Sequence, residues 1–239
     1  MKFIVFLLSS KFHHNMLSFF KSYKTFGIVF LIISIVILSI IYNKLNVYQP
    51  LPIYQPAMVS NELVDSTIQH QRKYHKIADF NLINQNGKTI TQDDYKDKIY
   101  VADFFFTTCQ TICPIMTTNM ADIQNEILND DDVMLLSHSV TPKIDSVPQL
   151  KRYAIKKGVN DKKWNLVTGD KKQIYELARK SYLAVKTDGN GDEYDMIHTE
   201  NFMLIDKKRQ IRGFYDGTNK EDIARLLNDI KILKNEPNQ

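Results

Sequence analysis

The stretch from Asp103 to Asn119 constrains the fold of this chain more than any other. It begins inside a run of large apolar side chains, Val101 to Phe106, and continues through two threonines to Cys109 and Cys113, with Pro114 directly behind. A continuous apolar run of this length is typical of a buried strand. Proline is favoured in the first turn of a helix because its missing N–H needs no partner there. The sequence therefore predicts a buried strand, a short loop and a helix that begins at the cysteine pair.

Cys109 and Cys113 are the only two cysteines in the chain. Side chains four residues apart on a helical turn lie about 5–6 Å apart, so small shifts allow either a disulfide or a shared metal ion. The unpaired N–H groups and the positive end of the helix dipole favour thiolate over thiol. Two buried apolar cysteines are the alternative, but a helix start behind a strand is an edge where α/β sheets bind ligands. The pair is therefore predicted to be a working thiol site.

Asp103 interrupts the apolar strand six residues before Cys109. A carboxyl group in a buried strand needs a reason, because ionising it there is costly. One reason is that it accepts a proton from a cysteine, and the alternative is that it reaches water at the edge of the sheet. The sequence leaves both interpretations open.

Residues 26–42, FGIVFLIISIVILSIIY, are 17 residues without a charge, which is at the short end of what spans a bilayer. Four lysines precede this run and one closely follows it, so the positive-inside rule places the N-terminus in the cytoplasm. The following residues lack the small-residue pattern of a signal-peptide cleavage site, and the first arginine, Arg72, comes too late for a mitochondrial transit peptide. We predict an uncleaved single-pass anchor in a bacterial inner membrane, with the C-terminal domain in the periplasm.

Four segments are predicted. They are a cytoplasmic segment over 1–25, the anchor over 26–42, a proline-extended periplasmic linker over 43–76 and a folded domain over 77–239. His70 and His75 fall in the linker, where we expect them to be solvated. The sequence leaves open whether translation starts at Met1 or Met16.

The rest of the chain is an ordinary globular sequence. A net charge of +4 over 239 residues is too small and too evenly spread to suggest nucleic acid as a partner. A hairpin is predicted over 80–91, before the cysteine strand. Behind the cysteine helix, apolar periodicity predicts further strands over 133–140, 164–167, 202–205 and 211–215, with helices between them and at the end. Strands and helices in this order indicate an α/β layer architecture with crossover connections. His138, inside the second of these central strands, is predicted to be packed in the core.

This element order, with a cysteine pair at the end of the first central strand, resembles the thioredoxin superfamily, so the chain is expected to have a thioredoxin-like central sheet flanked by helices. Within that superfamily the chain is similar to the Sco/SenC family of membrane-tethered copper-binding proteins, which assist assembly of the copper A centre of cytochrome c oxidase. The matching stretches are FFFTTCQTICP, SVTPKIDSVPQLKRYA, NLVTGDKKQIYELAR and YDMIHTENFMLIDKKRQIRGFYDG.

The resemblance implies three copper ligands, which in this sequence are Cys109, Cys113 and His198. Thiolates suit Cu(I), and an added imidazole gives a donor set that also holds Cu(II). The resemblance implies as partners the copper A subunit of the oxidase, a copper-donor chaperone and a thiol reductant, beside the lipid bilayer. The chain departs from the family pattern at Gln110, where proline is common, and at Ile197, where aspartate is common. Neither position is a ligand.

A membrane-tethered thiol-disulfide oxidoreductase is the alternative function. Cys109 would be the nucleophile and Cys113 the resolving thiol, with Asp103 as the candidate proton acceptor and the copper-site cysteines of the oxidase as substrate. Against it, no proline lies between Pro148 and Pro237, so the cis-proline with which thioredoxins hold extended substrates is missing. The two functions can coexist, because a disulfide cannot bind copper and its reduction would switch the site on.

Overall fold

The computed structural model describes residues 23–45, 50–185, 192 and 195–236. The chain divides into two compact units, Met1–Gln49 and Pro50–Gln239. In the first unit, helix α1 (Lys24–Leu45) contains a stretch, Lys24–Tyr42, that is long and apolar enough to cross a membrane. The predicted anchor falls inside this helix. The predicted cytoplasmic segment up to residue 22, and the choice between the two start methionines, lie outside the described residues.

The described residues of the second unit form seven strands and four α-helices. The strands are β1 (Asn81–Asn84), β2 (Thr89–Thr91), β3 (Ile99–Phe105), β4 (Val133–Ser139), β5 (Trp164–Thr168), β6 (Asn201–Ile205) and β7 (Ile211–Asp216). The helices are α2 (Cys113–Glu126), α3 (Val147–Lys157), α4 (Lys171–Glu176) and α5 (Lys220–Lys234), and a π-helical turn (Leu177–Ser181) continues α4.

The strands form one sheet in the order β2-β1-β5-β4-β3-β6-β7. Strands β3, β4 and β5 are parallel, and the remaining pairs are antiparallel. The β1–β2 hairpin extends one edge and the β6–β7 hairpin the other, so β3 lies in the interior with every residue buried. The predicted α/β fold and N-terminal hairpin are confirmed.

Alternation along β3 divides the core into two faces, because successive side chains of a strand point to opposite sides. Val101 and Phe105 pack with side chains of α2, α3 and α5. Tyr100 and Phe104 pack with side chains of α4 and the π-helical turn. His138 of β4 is fully buried on this second face and stacks on Phe104 with ring centroids 4.8 Å apart, which confirms its prediction as a core residue.

Residues 50–76, which we call the strap, pack on the domain, and here the structure differs from the predicted linker. Val64 is fully buried in the core. The backbone N–H of Tyr54 donates to the carbonyl of Ile211 at 2.8 Å, and the guanidinium of Arg212 donates to the carbonyl of Leu51 at 2.7 Å. The strap has only two short 3-10 turns, so no helical or strand period marks it in the sequence.

His75 lies near the C-terminal end of the strap and is buried, contrary to the expectation that it is solvated. Its Nε2 lies 2.7 Å from the carbonyl oxygen of Ser181 in the π-helical turn, and its backbone N–H donates to Gln55 at 3.0 Å. Burial lowers the pKa of His75. The histidine therefore joins the strap to the turn that follows α4.

Candidate metal and thiol site

The two cysteines meet at the first turn of helix α2. Cys113 is the first residue of the helix, and no side chain caps its N-terminus. Hydrogen bonding by the backbone and the side chain of Cys113 acts to lower the pKa of Cys109. Both cysteines are free thiols in this structure. Cys113 begins the helix and Pro114 lies in its first turn, as the sequence predicts.

The two thiols differ in acidity. Burial acts to raise the pKa of Cys109, but hydrogen bonds from Cys113 and Thr111 outweigh burial and lower this pKa to about 7. Burial raises the pKa of Cys113, which is 3% exposed, to about 12. The predicted preference for thiolate therefore applies to Cys109 and not to Cys113, because burial of Cys113 disfavours its charged form.

Asp103 lies below the pair, on the face of β3 that packs against α2. It is 3% exposed in an interior strand, so the interpretation of an edge residue that reaches water is wrong. Its Oδ1 is buried without a hydrogen-bond partner among the described residues. Burial raises the pKa of Asp103 to about 7, although a hydrogen bond from Ser137 acts in the opposite direction. An acid with this pKa is able to exchange a proton near neutral pH, as its predicted role requires.

A buried carboxylate that sequence analysis missed holds the loop before Cys109. Asp145 is fully buried and accepts hydrogen bonds from the hydroxyls of Thr107, Ser139 and Thr141 at 2.5, 2.6 and 3.0 Å. The Thr107 backbone N–H points at the same carboxylate. Asp145 therefore joins the ends of β3 and β4 two residues before the first cysteine. An aspartate behind the second central strand, in SVTPKID, was the available signal.

His198 lies on an extended segment that leads into β6. Burial alternates along this segment, with Ile197 and Thr199 buried and His198 exposed. The imidazole meets the ring of Phe106 edge-on, with centroids 5.6 Å apart, and Phe106 packs against the core cluster that contains Cys113. Phe106 therefore lies near both parts of the predicted ligand set.

The predicted ligands do not form a closed cluster. Across residues 23–45, 50–185, 192 and 195–236, no three His, Cys, Asp or Glu side chains are close enough to hold a metal ion together. The two thiols lie close enough to influence each other's pKa, and the imidazole packs against the ring of Phe106. Two soft sulfurs with one nitrogen nearby fit a soft metal such as copper better than a hard cation such as Mg²⁺.

Comparison with known proteins gives the family. The family model described as SCO1/SenC matches residues 68–234. The SCO1 protein homolog of Bacillus subtilis is 31% identical over 159 residues, covering 66% of this chain and 82% of that protein.

Solved structures agree with this match. BsSco, described as a member of the Sco family of cytochrome c oxidase assembly proteins with a disulfide switch, is 30% identical, with a TM-score of 0.59 over 68% of this chain and 95% of that one. ScoI of Arabidopsis thaliana with copper bound is 26% identical, with a TM-score of 0.52 over 64% of this chain and 97% of that one. The chain, with its thioredoxin-like sheet and paired cysteines, belongs to the SCO1/SenC family.

Proposed function

We propose that this protein binds copper through Cys109, Cys113 and His198 and delivers it to the copper A centre of cytochrome c oxidase. Its relative BsSco belongs to a family of cytochrome c oxidase assembly proteins, and its structural neighbour ScoI holds copper. Copper is in this case the cargo, received from a donor chaperone and passed to the oxidase subunit.

The observation that carries the proposal is that Phe106 packs both against His198 and against the core cluster that contains Cys113. A copper ion on the two sulfurs needs a further donor to hold Cu(II), and His198 is exposed and lies against that ring. With a pKa of about 7, Cys109 is largely ready to bind metal near neutral pH, whereas Cys113 must release its proton when the metal binds. Closing the site requires the imidazole and the cysteine loop to approach each other.

Copper titration of single-site variants tests the ligand set. His198→Ala should weaken Cu(II) binding strongly and leave the Cys109–Cys113 disulfide able to form, and either cysteine changed to serine should abolish both. His70→Ala is the matched control, since His70 is an exposed histidine of the strap. An unchanged Cu(II) affinity in His198→Ala would remove His198 from the ligand set.

Thiol-disulfide exchange is the second candidate function, and the unequal acidity of the cysteines favours it. The Cys109 thiolate would attack one sulfur of a partner disulfide and release the other as a thiolate. Cys113, losing its proton to Asp103, would then attack the mixed disulfide, so that the partner leaves as a dithiol and the protein keeps a Cys109–Cys113 disulfide. A separate thiol reductant would have to return both electrons.

The location follows from the anchor. We infer that α1 spans a bacterial inner membrane with residues 1–25 in the cytoplasm and the domain in the periplasm, because lysines are concentrated before the apolar run. In an oxidising compartment the cysteine pair tends toward the disulfide. Copper loading would therefore depend on prior reduction of this pair.

A further inference from the structure

We propose that Arg179 is a positioning residue for the copper site, because it holds, through Asp195, the backbone segment that carries His198. The inference rests on the proposed function, in which His198 is a copper ligand. It assigns a role to the π-helical turn.

The ion pair between these two side chains is bidentate and buried. The guanidinium nitrogens of Arg179 lie 2.7 and 2.8 Å from the two carboxylate oxygens of Asp195. The two side chains are only 8% and 6% exposed. Parallel N–H···O bonds fix the relative orientation of the two groups as well as their distance, so Asp195 has one well-defined place against the turn.

Further contacts hold the same segment on both sides of His198. On the N-terminal side, the carbonyl oxygen of Asp195 accepts hydrogen bonds from the Tyr175 hydroxyl at 2.9 Å and the Lys171 ammonium at 2.7 Å. On the C-terminal side, the Thr199 hydroxyl donates to the carbonyl of Ala184 at 2.9 Å. The backbone that carries the imidazole is thus tied down three residues before His198 and one residue after it.

The π-helical geometry brings Arg179 to the inside of the domain. The N–H of Tyr182 reaches back five residues to the carbonyl of Leu177 at 2.8 Å, so the turn is one residue wider than a regular α-helical turn. Leu177, Ala178 and Arg179 are consecutive and all buried, an arrangement that a regular amphipathic helix does not produce. Wide turns of this kind occur frequently at functional sites, and the buried His75 contacts this one from the strap.

A segment tied down in this way presents the imidazole donor before the metal arrives, so binding copper requires little ordering of the backbone. Residues that orient a metal ligand typically change metal affinity by about 10–100-fold when they are replaced. We expect a loss of this size for Cu(II) when Arg179 is replaced. The thiol pair lies on other elements and should not respond.

The experiment uses the full chain in detergent micelles and measures Cu(II) affinity, nitrogen coupling in the electron paramagnetic resonance spectrum, and the reduction potential of the cysteine pair. The main variant is the double substitution Arg179→Met with Asp195→Leu, since apolar replacement of a whole buried ion pair often preserves stability. Arg179→Lys keeps the positive charge but lacks the planar guanidinium group that forms two parallel hydrogen bonds. This variant tests the positioning role of Arg179 if the double variant does not fold. Arg212→Met is the control, because Arg212 makes another buried bidentate ion pair, with Glu236.

The expected result is a Cu(II) affinity about 10–100-fold weaker with altered nitrogen coupling in the double variant, and a smaller loss in Arg179→Lys. The reduction potential should stay at the wild-type value, and Arg212→Met should keep both copper readouts. Wild-type Cu(II) affinity and nitrogen coupling in the folded variants, while His198→Ala loses them, would overturn the positioning role and leave the proposed function intact. If His198→Ala also binds Cu(II) normally, the ligand assignment fails, and this inference fails with it.

Discussion

The substitution Asp103→Asn should make the domain more stable, and increasingly so as the pH rises. In the wild-type protein this carboxyl group is buried and its Oδ1 has no hydrogen-bond partner among the described residues. Burial raises its pKa from 3.8 to about 7. The folded state therefore favours the protonated acid, and asparagine is a neutral side chain of nearly the same shape.

The magnitude follows from proton linkage. Between pH 3.8 and about 7 the folded state of Asp103 binds its proton more tightly than the unfolded state does, so the free energy of unfolding falls as the pH rises through this window. One pKa unit corresponds to 1.36 kcal/mol, which gives a loss of about 4 kcal/mol that is complete above pH 7 and absent below pH 3.8. Asp103→Asn should remove this pH-dependent loss.

Denaturant unfolding at a series of pH values, followed by circular dichroism, measures the difference between wild type and variant. Asp93→Asn is the control for the chemical change, since Asp93 is exposed. If the stability difference between Asp103→Asn and wild type is the same at pH 4 and pH 8, the carboxyl group is not protonated in the fold and the reasoning is refuted. Asp103→Asn also tests the proposed redox role of Asp103. Without this proton acceptor, the attack of Cys113 on the mixed disulfide should slow.

Other predictions concern the cysteines and the boundaries of the domain. Iodoacetamide should modify Cys109 of the reduced protein with a midpoint near pH 7 and leave Cys113 unmodified until the protein unfolds, because the two pKa values are about 7 and about 12. Mass spectrometry of the labelled peptides at successive pH values measures the modification of each cysteine. Equal labelling of the two cysteines would contradict this prediction. Removal of residues 1–44 should give a soluble, folded domain that binds copper. Removal of residues 1–76 should unfold the domain, because the strap contributes Val64 and His75 to its interior. Gel filtration and circular dichroism of the two truncated proteins distinguish these outcomes.

The strands and helices of the domain could be predicted because their signals are local. Apolar runs mark β3 and β4, and Met116, Met120 and Ile123 mark the inner face of α2 at helical spacing. The strap could not be predicted in this way. Its position depends on partners far away in the chain, such as Arg212, which is 161 residues from Leu51. The polar composition of the strap fits a solvated linker as well as it fits a segment held by distant hydrogen bonds.

The same distinction applies within the site. Cys113 begins α2 and Cys109 lies in the loop four residues before it, so their short separation in sequence keeps the two cysteines close together. Asp145 acts on Thr107 from 38 residues away, and no local pattern distinguishes it from an aspartate in a solvated loop. Only the family resemblance predicts that His198 lies beside the thiols, and local periodicity carries no information about its position.

The two proposed activities therefore depend on different parts of the structure. Thiol exchange needs only the two sulfurs and the acid beneath them, all on β3, the loop behind it and the start of α2. The proposed copper site also needs an imidazole from the segment before β6, and we propose that the turn after α4 supports this segment through Asp195. Perturbing that support should therefore impair Cu(II) binding while thiol exchange persists, and no cysteine substitution can produce this result. A protein with both activities is thus able to tune its copper affinity at Arg179 without changing the reactivity of its thiols.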